Sequence, residues 1–149
     1  MILIGLAGST MARRDNMGLA LVDAGLRMAG GPRRLARLAI CSPEPGKMHD
    51  EIMRAERTRD RIDDMRGSSF SGAVMVHVMC EAEAKVIRAR GGEIWHVEGM
   101  PSDSVVIHWG DRLVTDTEGG NRHYLDAVEA LSELSLAGAF DAKRKRRIA

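Results

Sequence analysis

The residues with the clearest chemical potential follow the first apolar run: Gly8-Ser9-Thr10-Met11-Ala12-Arg13-Arg14-Asp15-Asn16. A short strand, a glycine-bearing loop and the opening of a helix can cradle a phosphate, because backbone N–H groups there point at an anion. The full pattern for such a loop is G-x-x-x-x-G-K-[ST]. Gly8 and the spacing fit it. Arg13 stands at the second glycine, Arg14 at the lysine and Asp15 at the Ser/Thr position. Arg13 and Arg14 are unfavourable at a helix N-terminus, which prefers negative charge. Either they form a solvated pair or an anion neutralises them. Gly8, Arg13, Arg14, Asp15 and Asn16 are therefore the candidate phosphate or anion pocket. No catalytic residue is assigned.

Other chemistry-bearing residues give weaker patterns. Cys41 and Cys80 have no metal or disulfide spacing and read as buried or half-buried thiols in a reducing cytosol. Cys80 opens a predicted helix, where a thiol pKa can fall, but a structural role is the simpler reading. His96 and His108 fall in predicted strands and His77 near a strand end. No His-Glu-x-x-His spacing occurs, and no metal site is expected. There is no G-x-S-x-G elbow. Trp95 and Trp109 read as core or interface residues. Lys143, Arg144, Lys145, Arg146 and Arg147 form a basic run. It reads as a frayed, solvated end, or as a salt-sensitive, non-specific contact to nucleic acid.

The elements that must position these residues alternate. Ile2–Ala7 reads as a buried strand, Gly8–Asn16 as a loop, and Met17–Met28 as a helix closed by Gly30-Gly31-Pro32. Leu35–Cys41 is a second short apolar run, and Ser42–Gly46 a loop. Met48–Met65 is a charged helix with Asp50/Arg54 and Arg59/Asp63 four apart and Ile52, Met53, Ile62 and Met65 as anchors. Ala73–Met79 is the strongest strand, Glu81–Arg90 a helix, and Glu93–Glu98 a strand. Val105–Trp109 and Arg112–Thr115 are extended runs around Gly110-Asp111. A last helix starts near Tyr124, with Asn121 as its cap. Such alternation predicts an α/β fold with a mostly parallel sheet and helices on both faces. Ligands then sit at the C-terminal ends of the strands, which puts the Gly8–Asn16 loop first.

Three blocks together resemble the bacteriophage deoxynucleoside monophosphate kinases. The opening Ile4-Gly5-Leu6-Ala7-Gly8 with Arg14-Asp15 is similar to their phosphate loop, which commonly ends Gly-Lys-Asp-Thr. Val76-His77-Val78, Glu81-Ala82-Glu83-Ala84, Ile87-Arg88-Ala89 and Gly91–Glu98 resemble a strand ending in Asp-Val-Arg, an Asn-Glu-Ala-Glu-Ala helix, a Gly-Gly and a strand. Val114–Gly119 leading into Tyr124-Leu125, Val128 and Leu131 resembles their Asn-Asp-Gly turn and last helix. The blocks cover about half of the chain. The resemblance implies a three-layer P-loop kinase-like domain with a mainly parallel five-stranded sheet. That domain spans residues 1–138, with a basic tail at 139–149.

The departures bear on function. Arg14 replaces the phosphate-binding lysine, and a guanidinium is bulkier, planar and differently hydrated. Arg13 adds a side chain where backbone must approach phosphate. Asn16 replaces a threonine that helps to hold magnesium. Met75 and His77 stand where the acid and arginine of Asp-Val-Arg belong. Phosphoryl transfer rests on positioning and charge neutralisation, which these replacements remove. The expectation is a degenerate relative of these kinases, non-catalytic or weakly active, binding a nucleotide, an anion or a protein partner. An active nucleotide kinase remains the alternative, with Arg14 in the lysine role, a base-binding region in Pro43–Met65, and ATP and magnesium as its cofactors. A protein-interaction modulator, recognised by an exposed apolar patch near Trp95 or Trp109 or by a homodimer, is the third reading. The resemblance also implies the cytoplasm of a bacterial host cell.

Composition bounds all of these readings. One chain of 149 residues with 44% apolar and 29% charged residues is a single globular domain. At this length about 68–70% of the unfolded chain's surface is buried on folding, so no disulfide or metal staple is needed. The net charge of +1 gives no global field to steer anions. Aromatic content of 3% argues against a base-stacking platform for single strands. No apolar stretch nears the ~20 residues of a membrane span.

Overall fold

The computed structural model describes residues 1–148, and for 139–145 the backbone alone. Its elements run β1 (Ile2–Ala7), α1 (Met11–Arg27), β2 (Leu35–Leu38), α2 (Met48–Arg66), β3 (Gly72–Met75), α3 (Glu81–Ala89), β4 (Glu93–Val97), β5 (Arg112–Val114) and α4 (Ala127–Ile148). The five strands form one sheet in the order β2-β3-β1-β4-β5, and every pairing is parallel. The fold is therefore α/β, with the sheet fully rather than mostly parallel.

Parallel strands covered on both faces must be apolar on both, and the two cores follow the strand alternation. Ile4 and Leu6 of β1, Val74 of β3 and Trp95 and Val97 of β4 face one core. Met17, Leu21 and Ala24 of α1 and Ala127, Ala130 and Leu131 of α4 close it. Leu3 and Ala7, Ala73 and Met75, and Ile94 face the other. Ala55 and Ile62 of α2 and Ala84 and Ile87 of α3 close that one. Gly5 is the point of closest approach: a Cβ there meets Ile87 and Val78 at 2.8 Å and Ile94 at 2.9 Å. A glycine in β1 thus lets α3 lie against the sheet.

Several elements differ from the sequence reading. Helix α1 starts at Met11, not Met17, because Thr10 caps it: the Thr10 hydroxyl accepts from the Arg13 N–H at 3.2 Å. The loop is thus three residues, Gly8 to Thr10. Val105–Trp109 is not a strand. β5 pairs with β4 in parallel, so residues 98–111 are a connection that returns the chain to the same end of the sheet, and no hairpin forms. Asp126, not Asn121, caps α4, with its Oδ1 accepting from the Glu129 N–H at 2.9 Å. Tyr124 and Leu125 lie outside that helix, and Leu125 bridges to Val114 along the edge of β5. In α2, Arg54 and Asp63 turn to Glu83 and Arg90 rather than to the carboxylate and guanidinium four residues away. Ile52 is exposed rather than an anchor.

The basic tail predicted at 139–149 continues α4 as helix to Ile148. The side chains of Lys143, Arg144 and Lys145 and the whole of Ala149 lie outside the described residues. Arg146 and Arg147 are exposed. No described helix is long and apolar enough to cross a membrane.

Candidate functional site

α1 and α3 leave β1 and β3 on opposite faces of the sheet. Between two neighbouring strands that is a topological switch point, where open parallel sheets form their ligand crevice. The residues after β1 (Gly8 to Thr10) and after β3 (Val76 to Cys80) border it.

The loop after β1 has the reverse polarity of a phosphate cradle. Gly8 and Ser9 both adopt positive φ, 76° and 58°. Their carbonyls turn inward, and the Arg14 guanidinium donates to Gly8 O at 2.7 Å and to Ser9 O at 3.3 Å. The Ser9 N–H is spent on Met100 O at 2.7 Å and the Arg14 N–H on Thr10 O at 3.0 Å. With the Arg13 N–H on the Thr10 hydroxyl, one donor of the loop and two of the first turn of α1 are committed. A bound triphosphate needs convergent N–H groups, and this loop presents converging carbonyls to its own cation. These residues do not fit ATP.

Arg14 is 5% exposed, and no carboxylate lies within ion-pair distance of it among the described residues. Burial pushes its pKa below the ordinary value, against the opposing charge of Asp15. Its Nε donates to His77 Nδ1 at 3.1 Å, and its Nη2 to the Met79 sulfur at 3.3 Å. An arginine can only donate, so His77 Nδ1 is the unprotonated nitrogen. The proton sits on Nε2, 3.1 Å from Asp15 Oδ1. Burial first, and then the Arg14 charge, hold the His77 pKa below 6.5 despite Asp15. Arg37 approaches the same Asp15 oxygen at 3.6 Å.

Arg13 points elsewhere. It donates to Asp116 Oδ1 from Nη2 at 2.7 Å and from Nε at 3.1 Å, and lies 3.6 Å from Glu98 Oε2. Burial pushes the Asp116 carboxyl up, but Arg13's hydrogen bond and charge, with a hydrogen bond from Asn16, outweigh it and hold the pKa low. Glu98 is held low by hydrogen bonds from Thr115 and Asn121 and by Arg13. The five candidate residues thus fall into separate sets. Gly8 and Arg14 close on each other, Asp15 turns to His77, and Arg13 and Asn16 turn to Asp116.

Behind the crevice lies a buried ion pair that the sequence reading missed. Arg54 Nε of α2 donates to Glu83 Oε1 of α3 at 2.7 Å, and both side chains are 2% exposed. Glu83 Oε1 also accepts from the Met79 N–H and the Cys80 thiol, and Arg54 Nη1 donates to Pro43 O at 2.7 Å. Glu83 is the third residue of α3 and reaches back to the N–H of Met79, one residue beyond the N-cap N–H that a capping-box glutamate takes. Burial pushes the Cys80 thiol up to about 11, so its place at a helix start does not activate it. Cys41, expected buried or half-buried, is exposed. His108 lies in a loop rather than a strand, whereas His96 is in β4 as expected. No group of three or more His, Cys, Asp or Glu side chains able to hold a metal occurs among the described residues.

In front of this pair the crevice opens into a hollow of about 400 Å³. Met11, Met79, Ile40 and Pro45 line it together with Cys41, Glu44, His77 and Arg54. Two thioethers and an apolar wall suit a flat ring. The guanidiniums nearby, Arg14 and Arg54, are committed to protein groups.

No protein-family model, no curated protein and no solved structure matches the chain.

Proposed function

We propose that the chain is a non-catalytic relative of the phage deoxynucleoside monophosphate kinases. On this reading it keeps their three-layer P-loop kinase-like scaffold and binds the nucleoside part of a nucleotide in the crevice between β1 and β3. The five-stranded parallel sheet with helices on both faces supports the scaffold. The observation that carries the loss of phosphoryl transfer is Arg14: its guanidinium is seated on the Gly8 and Ser9 carbonyls. Transfer needs charge neutralisation at the phosphates, and Arg14 is directed at its own backbone instead. The Met11 and Met79 thioethers and the Ile40–Pro45 wall support binding of a base and sugar.

Calorimetric titration of ATP with magnesium, of deoxynucleoside monophosphates and of the matching nucleosides tests this. Methyl spectra of Met11 and Met79 report where each ligand binds. The expected result is no magnesium-dependent ATP binding, with nucleoside and monophosphate binding equally and shifting both methyls. Magnesium-dependent ATP binding that Arg14→Ala abolishes restores the active-kinase reading. No response to any nucleoside or nucleotide at about millimolar concentration, the weak end of specific affinities, removes nucleotide binding altogether.

A further inference from the structure

The chain's two tryptophans have opposite fates. Trp95 is completely buried in the sheet core, while Trp109 is fully exposed on the connection between β4 and β5. Val106 and Ile107 beside it are 59% and 51% exposed. We propose that two copies of this chain pair through this loop, each Trp109 seating in the hollow beside Ile107, Gly110 and Leu113 of the other.

The loop is held in place without any partner. Val105 is buried in the core shared with α3. The Val106 N–H donates to Glu81 Oε2 at 3.0 Å, and the His108 N–H to Asp111 Oδ2 at 2.9 Å. The same Asp111 oxygen takes Arg88 Nη2 at 2.7 Å and faces the buried His96 Nε2 at 2.8 Å. A preorganised loop avoids the ordering cost that weakens small interfaces. The rigid framework therefore displays an indole that contributes nothing to the monomer's own core.

Shape favours a second copy. The open hollow of about 530 Å³ is lined by Ile107, Gly110, Leu113 and Trp109 itself, with His108 and Asp111 as its polar members. A cavity of about 150 Å³ already holds a benzene ring, so an indole has ample room. Knob and hollow lie on one patch, which a two-fold axis requires: the same surface must serve both partners. Charge does not oppose a second copy. Arg88 is matched by Asp111 and Glu81, and Asp111 also faces His96, so the polar groups bracing the loop are internally paired. A copy meets no like-charge repulsion, and a polyanion finds no unmatched cation among these groups. An aromatic side chain buries about 150–250 Å². Three apolar side chains fall short of the ~800 Å² per partner of a standard interface, so the dimer is a weak, concentration-dependent one.

Sedimentation velocity and acrylamide quenching of tryptophan, from about 1 to about 200 µM, span the range of such an interface. Trp95 is shielded, so quenching reads Trp109. The wild type is expected to move from monomer toward dimer as concentration rises. Its quenching should fall toward that of a shielded indole over the same range. Trp109→Ala should weaken pairing at least about tenfold, as loss of a central anchor does. Ile107→Asp, which places like charges across the two-fold axis, should keep the chain monomeric. Both variants should keep the wild-type circular dichroism and melting midpoint. A wild type that stays monomeric with quenching independent of concentration overturns the proposal. So does a dimer that survives in both variants.

Discussion

Arg14→Ala tests the reversed loop directly. The side chain makes one short charge-assisted bond, to Gly8 O at 2.7 Å, and longer ones to Ser9 O, His77 Nδ1 and the Met79 sulfur. A hydrogen bond to a charged group contributes about 1.5–3 kcal/mol, and an abandoned buried carbonyl costs about 1–3 kcal/mol. Against this stands the burial of a guanidinium with no contacting carboxylate, which truncation relieves. The net loss of stability is expected at about 1–3 kcal/mol by urea denaturation at neutral pH. The same variant must move His77. Burial and the Arg14 charge hold its folded-state pKa below 6.5. The unfolded chain then binds the proton more readily. Stability conferred by neutral His77 is complete above 6.5 and is lost as pH falls below 6.5 toward the folded-state pKa. Without Arg14, the charge vanishes and water reaches the ring, so the His77 pKa rises and this acid-side loss becomes shallower. Imidazole proton shifts, assigned with His77→Gln, follow the titration. Arg14→Lys should not rescue, because a compact ammonium cannot span Gly8 O and His77 Nδ1 with a rigid fork. An Arg14→Ala protein within about 0.5 kcal/mol of wild type, the scatter of ordinary surface changes, with an unshifted His77, refutes the reasoning.

The buried pair predicts a second outcome. Arg54→Met strands the Glu83 carboxylate and should cost about 3–5 kcal/mol in urea denaturation, while Arg54→Met with Glu83→Leu should recover most of it. On the other side of β1, after β4 and β5, Glu98 and Asp116 have folded-state pKa values below their ordinary ones. The stability they confer is present above the ordinary carboxylate range and lost as pH falls through the folded-state values. Asp116→Asn should therefore flatten the fall of melting temperature below about pH 5, as the pH drops through the ordinary aspartate value toward the lower folded-state one. An unchanged acid limb in Asp116→Asn means that the Arg13 contact confers no such stability.

The strands were legible because parallel strands buried on both faces read as short apolar runs. The helices were legible from spacing, but the start of α1 was not. The polar run Arg13-Arg14-Asp15 reads as solvated and extends the expected loop to Asn16. Yet the buried positions of α1 are Arg14, Met17, Gly18, Leu21, Ala24 and Gly25. Carried one turn back, the apolar stripe lands on Arg14, which was the available sign that this arginine points inward. Arg54 lies on the buried stripe of α2 with Ala55, Thr58 and Ile62 in the same way. What spacing could not give is the partner. Arg14 meets His77, 63 residues on, and Arg13 meets Asp116, 103 residues on. Val105–Trp109 misled for the opposite reason. Its β-branched run has the propensity of a strand, but β5 takes the place beside β4.

The two arginines explain each other. A glycine and a lysine in a phosphate loop leave the backbone N–H groups for the anion and supply one movable cation. Here the second-glycine position carries Arg13, drawn outward to Asp116 and Glu98, and the lysine position carries Arg14, drawn inward to Gly8 O. A phosphate entering the loop must displace a guanidinium bonded at 2.7 Å, turn two carbonyls away and free the Ser9 N–H from Met100. Replacing Arg14 by lysine undoes only the first of these. The charges beside the loop are near balance: Arg14, Arg37 and Arg54 stand against Asp15, Glu44 and Glu83. A phosphate dianion gains no net charge there, whereas a ring still gains the thioethers of Met11 and Met79. On the proposed reading, equal affinity for a nucleoside and its monophosphate is therefore the sharpest expected signature. A monophosphate that binds far better than its nucleoside requires Arg14 to leave Gly8 and Ser9, and the position of that guanidinium is where the reading stands or falls.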